Sequence, residues 1–519
     1  MTEQGIISSF QERRQLEDAL IALGQTTTEA ELVAAARELT QRFPPDRLIA
    51  AIQRRLADTN SQLRGGLGHL STLLPPEMIA PALRELAGNR QKSPIERMSA
   101  VLILERYLGE AVSPALTSDL AGNDDIAMQS LLEAAEEGRR NRHVFLEYVT
   151  QMQEHGVDVA FMVLGLMNQL APAAQVELLR LIAQDVRTQV ARSALDRIVT
   201  LAATQDQALA ALHALTFTLA PALVEPAQRA LRKLQFMGRR YSPPAADGWR
   251  TLLGPTDAGG YFTLWLVQMP RQPTSTDGVL LGFTLTLQQG IVECSGVTNM
   301  EAGQLPPARR VGDLTVVGEG QEPRMTMLET PLAVGRWLVQ QALAAHWRQP
   351  EPAELPGEYK LYNDLIWQFA SPFLPDEYHH IFAAMAETGL EQPDMAALHE
   401  AVDVLVQHPI LRTWIGWAAN VWTLLTPLPD ADRQERLHAL ITHILREIDA
   451  MPQRTQLLDN MTVALRTQAL WFAIHDEAAN TNRALLLARW MRALPLRQNP
   501  LLAGLLQAGY TQQSNARPM

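Results

Sequence analysis

The sequence predicts a mainly α-helical protein: an N-terminal α-solenoid, a small central α+β domain with an antiparallel sheet, and a C-terminal helical domain. Three observations carry this. A segment near the start recurs about 30 residues later. Apolar residues recur three or four apart through most of the 519 residues. The pattern changes to strict alternation shortly after Trp249 and returns to helical spacing after Pro331.

The repeat comes first. PPDRLIAAIQRRLAD, Pro44–Asp58, reappears 31 residues later as PPEMIAPALRELAGN, Pro75–Asn89. Both copies open with two prolines and an acid. Proline is tolerated in a first helical turn, where its missing N–H has no partner to lose. Leu48, Ile49, Ile52 and Leu56 then form one apolar face, and Leu63, Leu67, Leu70 and Leu74 form the next. Ser or Thr or Asn stands at the expected caps, as at Thr59, Ser93 and Asn123. First helices of such pairs are expected near residues 45, 76, 113, 141, 173 and 206. A period near 30 whose unit is a helix pair marks a stacked array. With its Pro-Pro-acid starts and second helices such as EPAQRALRKL, Glu225–Leu234, this stretch of about 200 residues resembles the HEAT and armadillo α-solenoid repeats. The resemblance implies an architecture and a surface for binding other proteins. It implies no chemistry, because fold does not fix function.

The remaining parts follow in order. Residues 1–27 are a polar lead-in and 28–238 the helical repeats. Arg239–Gly248 is a proline-containing linker. Residues 248–347 form the α+β domain, with strands expected at Tyr261–Met269, Val279–Leu287, Ile291–Gly296 and Asp313–Gly318. Strand is expected only between about Trp249 and Val317, followed by a helix over Pro331–Trp347. A second linker, Arg348–Glu358, leads to the C-terminal helical domain, 359–510. There Trp414 and Trp417 lie three apart, with Val421 continuing a stripe expected to be core.

Composition bounds the function. Hydrophobic residues make up 47% and charged residues 19%, which suits a packed chain and not a disordered one. The formal net charge is −12, so the net basic footprint of a general nucleic-acid binder is missing. Up to Arg240 there are 25 basic and 28 acidic residues, so the repeat half is near neutral and the distal part carries most of the acidity. Only Lys92, Lys233 and Lys360 are lysines among 44 basic residues, a bias expected of a GC-rich genome. The single cysteine, Cys294, rules out an intrachain disulfide and a cysteine-based zinc site. The first residues are too polar for a secretory signal, and no stretch reaches the ~18–20 apolar residues of a membrane span. A cytoplasmic, bacterial protein is the expectation.

Candidate chemistry is sparse. Cys294 alternates with Glu293 along a strand and should face the buried side, which gives a structural thiol and not a nucleophile. His379 and His380 are adjacent, so on a helix they point about 100° apart and cannot chelate together. His475, Asp476 and Glu477 likewise fan apart at a helix junction, with Asn480 or Asn482 expected as the next cap. Gly259 and Gly260 lead into a strand, as a turn does and a phosphate loop does not. Asn123, Asp124 and Asp125 lack the further ligands of a calcium loop. The one basic cluster is Arg229, Arg232, Lys233, Arg239 and Arg240, a candidate contact for a phosphate-bearing partner. No catalytic residue, metal ligand or cofactor is assigned. The expected function is therefore a non-catalytic scaffold or adaptor that binds a protein partner through the repeat surface. The alternative is an enzyme or ligand sensor with its site where the central α+β domain meets a helical domain.

Overall fold

The computed structural model describes residues 15–26, 29–58, 61–113, 124–272, 274–318, 325–383, 392–423 and 433–516. The chain forms two compact units, Met1–Leu179 and Arg180–Met519.

The first unit is helical throughout its described residues. After a helical stretch at 15–23 come α1 (Glu29–Arg42), α2 (Pro45–Arg55), α3 (Ser61–Thr72), α4 (Pro76–Gly88), α5 (Pro94–Leu102), α6 (Asp124–Gly138), α7 (His143–Glu154) and α8 (Val157–Leu166). Both repeat copies start where their prolines dictate, at Pro45 and Pro76, each preceded by a proline outside the helical region. The buried face is copied along with the sequence. Leu48, Ile49, Ile52 and Leu56 lie in the core, and 31 residues on so do Ile79, Ala80, Leu83 and Ala87. Leu63, Leu67, Leu70 and Leu74 join the same core. Ser93 caps α5 as expected: its hydroxyl accepts from the Glu96 N–H at 3.2 Å, and the Glu96 carboxylate accepts from the Ser93 N–H at 3.0 Å. Thr59 and Asn123 lie outside the described residues, and of the expected helix starts, 113 stands at the edge of an undescribed stretch.

The division between the units falls inside α9 (Pro172–Ile182), within the segment that periodicity assigns to one repeat domain. Helices α10 (Thr188–Ala202), α11 (Asp206–Thr218) and α12 (Pro221–Phe236) therefore belong with the sheet. Periodicity reports which face of a helix is apolar; it does not report what covers that face.

In the second unit, six antiparallel strands run in the order β4-β3-β2-β1-β6-β5. They are β1 (Trp249–Leu253), β2 (Phe262–Gln268), β3 (Gly278–Thr286), β4 (Gly290–Met300), β5 (Leu314–Val317) and β6 (Met325–Thr330). Strand thus extends past Val317, contrary to the sequence expectation. The sixth strand, MTMLET, has two methionines and little alternation, and its state is imposed by pairing with β1 on one side and β5 on the other. Helices α13 (Leu332–Trp347) and α14 (Gly357–Trp367) cover one face. The approach is close enough to require glycine: a Cβ on Gly335 would lie 2.4 Å from Thr251, and one on Gly296 would lie 2.3 Å from Tyr362. The opposite face carries Leu252, Val267, Val317 and Met327, with Leu305 packed over them.

The rest of the unit is helical: α15 (His379–Phe382), α16 (Met395–Gln407), α17 (Arg412–Thr423), α18 (Arg433–Ala450), α19 (Arg454–Ile474), α20 (Ala478–Trp490) and α21 (Pro500–Ala516). Two tryptophans tie these helices to the loop between β1 and β2. The Trp414 indole N–H donates to the Thr256 carbonyl at 2.7 Å, and that of Trp471 donates to the Leu253 carbonyl at 3.1 Å. Trp414 is fully buried, but Trp417 is only half-buried, and the core stripe continues through Ala418 instead. A spacing of four follows the buried line here better than a spacing of three.

An aromatic cluster joins α11 to α14. Phe217 stacks on Trp367 with ring centres 5.4 Å apart, and His213 packs on Tyr241 at 4.4 Å while its Nε2 contacts the Phe369 carbonyl at 3.1 Å. Burial, and to a lesser degree Arg336, holds the His213 pKa below its ordinary value.

Two outcomes are expected. Trp414→Ala should cost ~3–5 kcal/mol in denaturant unfolding, and Trp417→Ala well under half of that; equal losses would contradict the burial pattern. His213 binds a proton less readily folded than unfolded, so its stabilising effect is complete above about pH 6.5 and is lost as pH falls from there toward its depressed folded pKa. The melting temperature of His213→Gln should fall less steeply than that of the parent between about pH 7 and 5. Identical slopes would remove His213 from the account.

Candidate functional site

Three places in the molecule merit attention, and the sequence anticipates one of them.

The basic cluster lies at the end of α12. Glu225, Arg229, Arg232 and Phe236 are spaced four, three and four apart and share the outward stripe. Arg229 pairs with Glu225 at 2.5 Å and Arg239 with Asp206 at 2.8 Å. Arg232, Lys233 and Arg240 are exposed. Phe236 is 92% exposed and Met237 59%, so an apolar tip stands among these cations. The structure thus brings the five predicted contact residues together near one helix end, two of them engaged in ion pairs.

A second place is a groove of about 1120 Å³ in the first unit, alongside both repeat copies. Arg42, Phe43, Arg47, Arg54, Glu85 and Lys92 line it. Gln53 of the first copy donates from Nε2 to the Ala82 carbonyl of the second at 3.2 Å, fixing the floor. The cations here are tethered at the rim: Arg42 to Glu38 at 2.9 Å and Lys92 to Glu96 at 3.1 Å. Arg47 and Arg54 add further cations, so the wall is polar with more positive than negative side chains, and Phe43 is its aromatic element.

The third place is a buried polar network in the second unit. The Arg180 guanidinium is 1% exposed. It donates to the Lys360 carbonyl at 2.7 Å, the Leu361 carbonyl at 2.7 Å and the Asn363 Oδ1 at 2.6 Å. Asn363 donates in turn to Gln184 Oε1 at 2.6 Å and to the Thr218 hydroxyl at 3.3 Å. Beside this network lies a cavity of about 220 Å³, lined by Gln184, Thr218, Trp347, Glu354 and Lys360 among others. No spacing in the sequence groups these residues. The one signal it offers is the rarity of lysine, which makes a lysine in a buried position conspicuous.

The remaining sequence candidates have structural partners. His379 Nε2 contacts the Leu374 carbonyl at 2.8 Å, and His475 Nδ1 contacts the Gly312 carbonyl at 2.7 Å. Glu477, not Asn480 or Asn482, occupies the cap position of α20, and Asn480 donates to its carboxylate at 2.5 Å. Gly259 and Gly260 form a turn, with Gly260 at φ +84°. The side chains of Asp124 and Asp125 lie outside the described residues. Among the described residues, no group of three or more His, Cys, Asp or Glu is placed to hold a metal ion. No helix among them is long and apolar enough to cross a membrane.

Alternation predicts a buried Cys294, and as a residue it is half-buried. It shares a face with Phe283 and Leu264, the face covered by α14, and Glu293 is on the other face as expected. Burial, helped by the Glu358 carboxylate, pushes the thiol pKa well above its ordinary range.

No family model matches the chain, and no curated protein or solved structure matches it.

Cys294→Ser should lower the melting temperature only modestly, since placing a hydroxyl without a partner at this position costs at most ~1–3 kcal/mol. In native protein near pH 8, a thiol reagent should modify Cys294 far more slowly than a free thiol, because the reactive thiolate is scarce. Labelling at the rate of free cysteine would contradict the suppressed ionisation.

Proposed function

We propose that this protein is a non-catalytic scaffold or adaptor that binds another protein through its helical-repeat surface, in the manner of HEAT-like arrays. The observation that carries this reading is the groove beside the two repeat copies. The copies keep their buried positions, Leu48 with Ile79 and Ile52 with Leu83, while their outward positions differ. The groove walls draw on those outward positions, Arg47, Gln53 and Arg54 from α2 and Glu85 from α4. Repeats that hold an interior and vary a surface generate recognition faces without reactive groups. The near-neutral balance of the repeat half suits a partner segment held largely by hydrogen bonds and by Phe43, with little long-range electrostatic steering. A partner with an extended, mixed polar and apolar segment fits this wall best.

The test uses the full chain carrying an affinity tag. It should retain a specific protein from an extract of its native organism, and retention should fall only modestly between about 50 and 200 mM salt. The double variant Arg47→Glu, Arg54→Glu should lose that protein by tenfold or more while melting like the parent. If the partner is retained by the groove variant and lost instead by Arg232→Glu, Lys233→Glu, contact belongs to α12 and this reading fails.

A further inference from the structure

The apolar residues at the end of α12 are not core residues out of place. At about 100° per residue, Arg229, Arg232 and Lys233 fall within about 60° of Phe236 around the helix axis. The buried residues of the same helix, Leu223, Ala227 and Leu234, fall about 140–180° away from it. Phe236 therefore sits at the centre of a basic arc, on the side turned from the core. The helix stops just beyond it. Gly238 has φ +87°, its N–H donates to the Gln235 carbonyl at 3.1 Å, and the Arg239 N–H donates to the Leu234 carbonyl at 2.9 Å. This glycine cap fixes the backbone that carries Phe236 and Met237. Two of the five cations around them are met by carboxylates, Arg229 by Glu225 and Arg239 by Asp206. Arg232, Lys233 and Arg240 are exposed and have no carboxylate partner among the described residues.

We propose that this tip docks on an anionic phospholipid surface, with Phe236 and Met237 inserted at headgroup level and Arg232, Lys233 and Arg240 over the lipid phosphates. Shape and charge together select this occupant. Phe236 is 92% exposed, so its ring projects with almost no protein around it. Protein partners bury their anchoring aromatics in packed pockets. Here the chain supplies almost none of such a pocket, whereas a bilayer interface surrounds an inserted ring on every side. The three cations match a surface of spread negative charge, and each adds attraction to acidic headgroups at close range. The net charge of −12 on the whole chain does not prevent this. At physiological ionic strength, charges more than ~8–10 Å from the headgroups are largely screened. Two apolar side chains and three cations make a weak, reversible contact and not a permanent anchor. This inference does not depend on partner binding at the groove. Lipid vesicles contain no protein, so the two fail separately.

The experiment sediments the full chain with lipid vesicles at ~1 mM accessible lipid. Mixed phosphatidylserine–phosphatidylcholine vesicles should carry down ~fivefold more protein than phosphatidylcholine alone. The double variant Arg232→Glu, Lys233→Glu should lose that binding ~tenfold. Phe236→Ser should lower it ~fivefold, and Met237→Ser should lower it in the same direction. Phe236→Trp should keep the parental level, because an indole also suits the interface. All these side chains are exposed, so the variants should melt like the parent. The proposal is overturned if phosphatidylserine vesicles carry down no more protein than phosphatidylcholine ones. Parental binding by Phe236→Ser would overturn it too, because the contact would then be charge alone. If the chain binds poly-L-glutamate through Phe236 and leaves the vesicles unbound, the tip reads an acidic protein segment and the proposal fails. Release from vesicles by ~10 mM inorganic phosphate at constant ionic strength would make this a site for the free ion and overturn it as well.

Discussion

Much of the second unit depends on where one arginine sits. Burying a guanidinium is expensive, and it is tolerated only when its donors are met. Arg180 meets them with the carbonyls of Lys360 and Leu361 and the side-chain oxygen of Asn363, with the Asp364 carboxylate 3.6 Å away. Lysine has the charge but not the fork of donors, so it would leave carbonyls unserved. The consequence is a fixed rotation of α14. With that rotation set, Tyr362 lies over Gly296 of β4, Trp367 stacks on Phe217 of α11, and Lys360 lines the cavity. Trp367 adds a bond of its own, donating to the Tyr359 hydroxyl at 2.9 Å, and burial raises the pKa of that hydroxyl. One polar contact therefore sets the positions of residues that packing alone would leave free to slide.

The first unit rests on a different principle. Three of its helices, α2, α4 and α5, start at prolines, and the two repeat copies are held by apolar faces that recur at a fixed interval. Such a core depends on neighbours in sequence, so the 31-residue match is visible in the order of the amino acids alone. The burial of the four positions in each copy follows directly from their spacing. The cap at Ser93 was legible for the same reason, because an N-cap is a local signal. The central strands were legible where alternation is strong, as in Leu281, Phe283 and Leu285. The sixth strand was not, because MTMLET acquires its state from partners about 75 residues earlier and a few residues before it. Trp417 shows the limit within a single helix: composition marked the helix as apolar, and only packing chose Ala418 over Trp417 for the core.

The sites were less legible than the fold. The basic cluster on α12 was readable as a run of letters, but the exposure of Phe236 and Met237 beside it was not. Hydrophobic residues at a helix end are ordinarily taken for core. The cavity was beyond reach, because its walls come from residues about 180 positions apart, with no spacing rule to connect Gln184 to Lys360. Cys294 was assigned the correct face of its strand by alternation. The degree of its exposure depended on how far α14 extends over β4, which no local pattern encodes.

Several titratable side chains of the described residues are committed to structural contacts. His213, His379 and His475 each commit a ring nitrogen to a backbone carbonyl that fixes a loop or helix end, and His399 does the same within its own helix. The only thiol is held in its protonated form. Arg336, whose pKa burial lowers to about 10, lies between Trp367 and Phe369 and donates to the Ile366 carbonyl. His213, His379, His475 and Arg336 thus each anchor a backbone carbonyl. The groove of the first unit and the cavity of the second, by contrast, are lined by polar and charged side chains beside apolar ones.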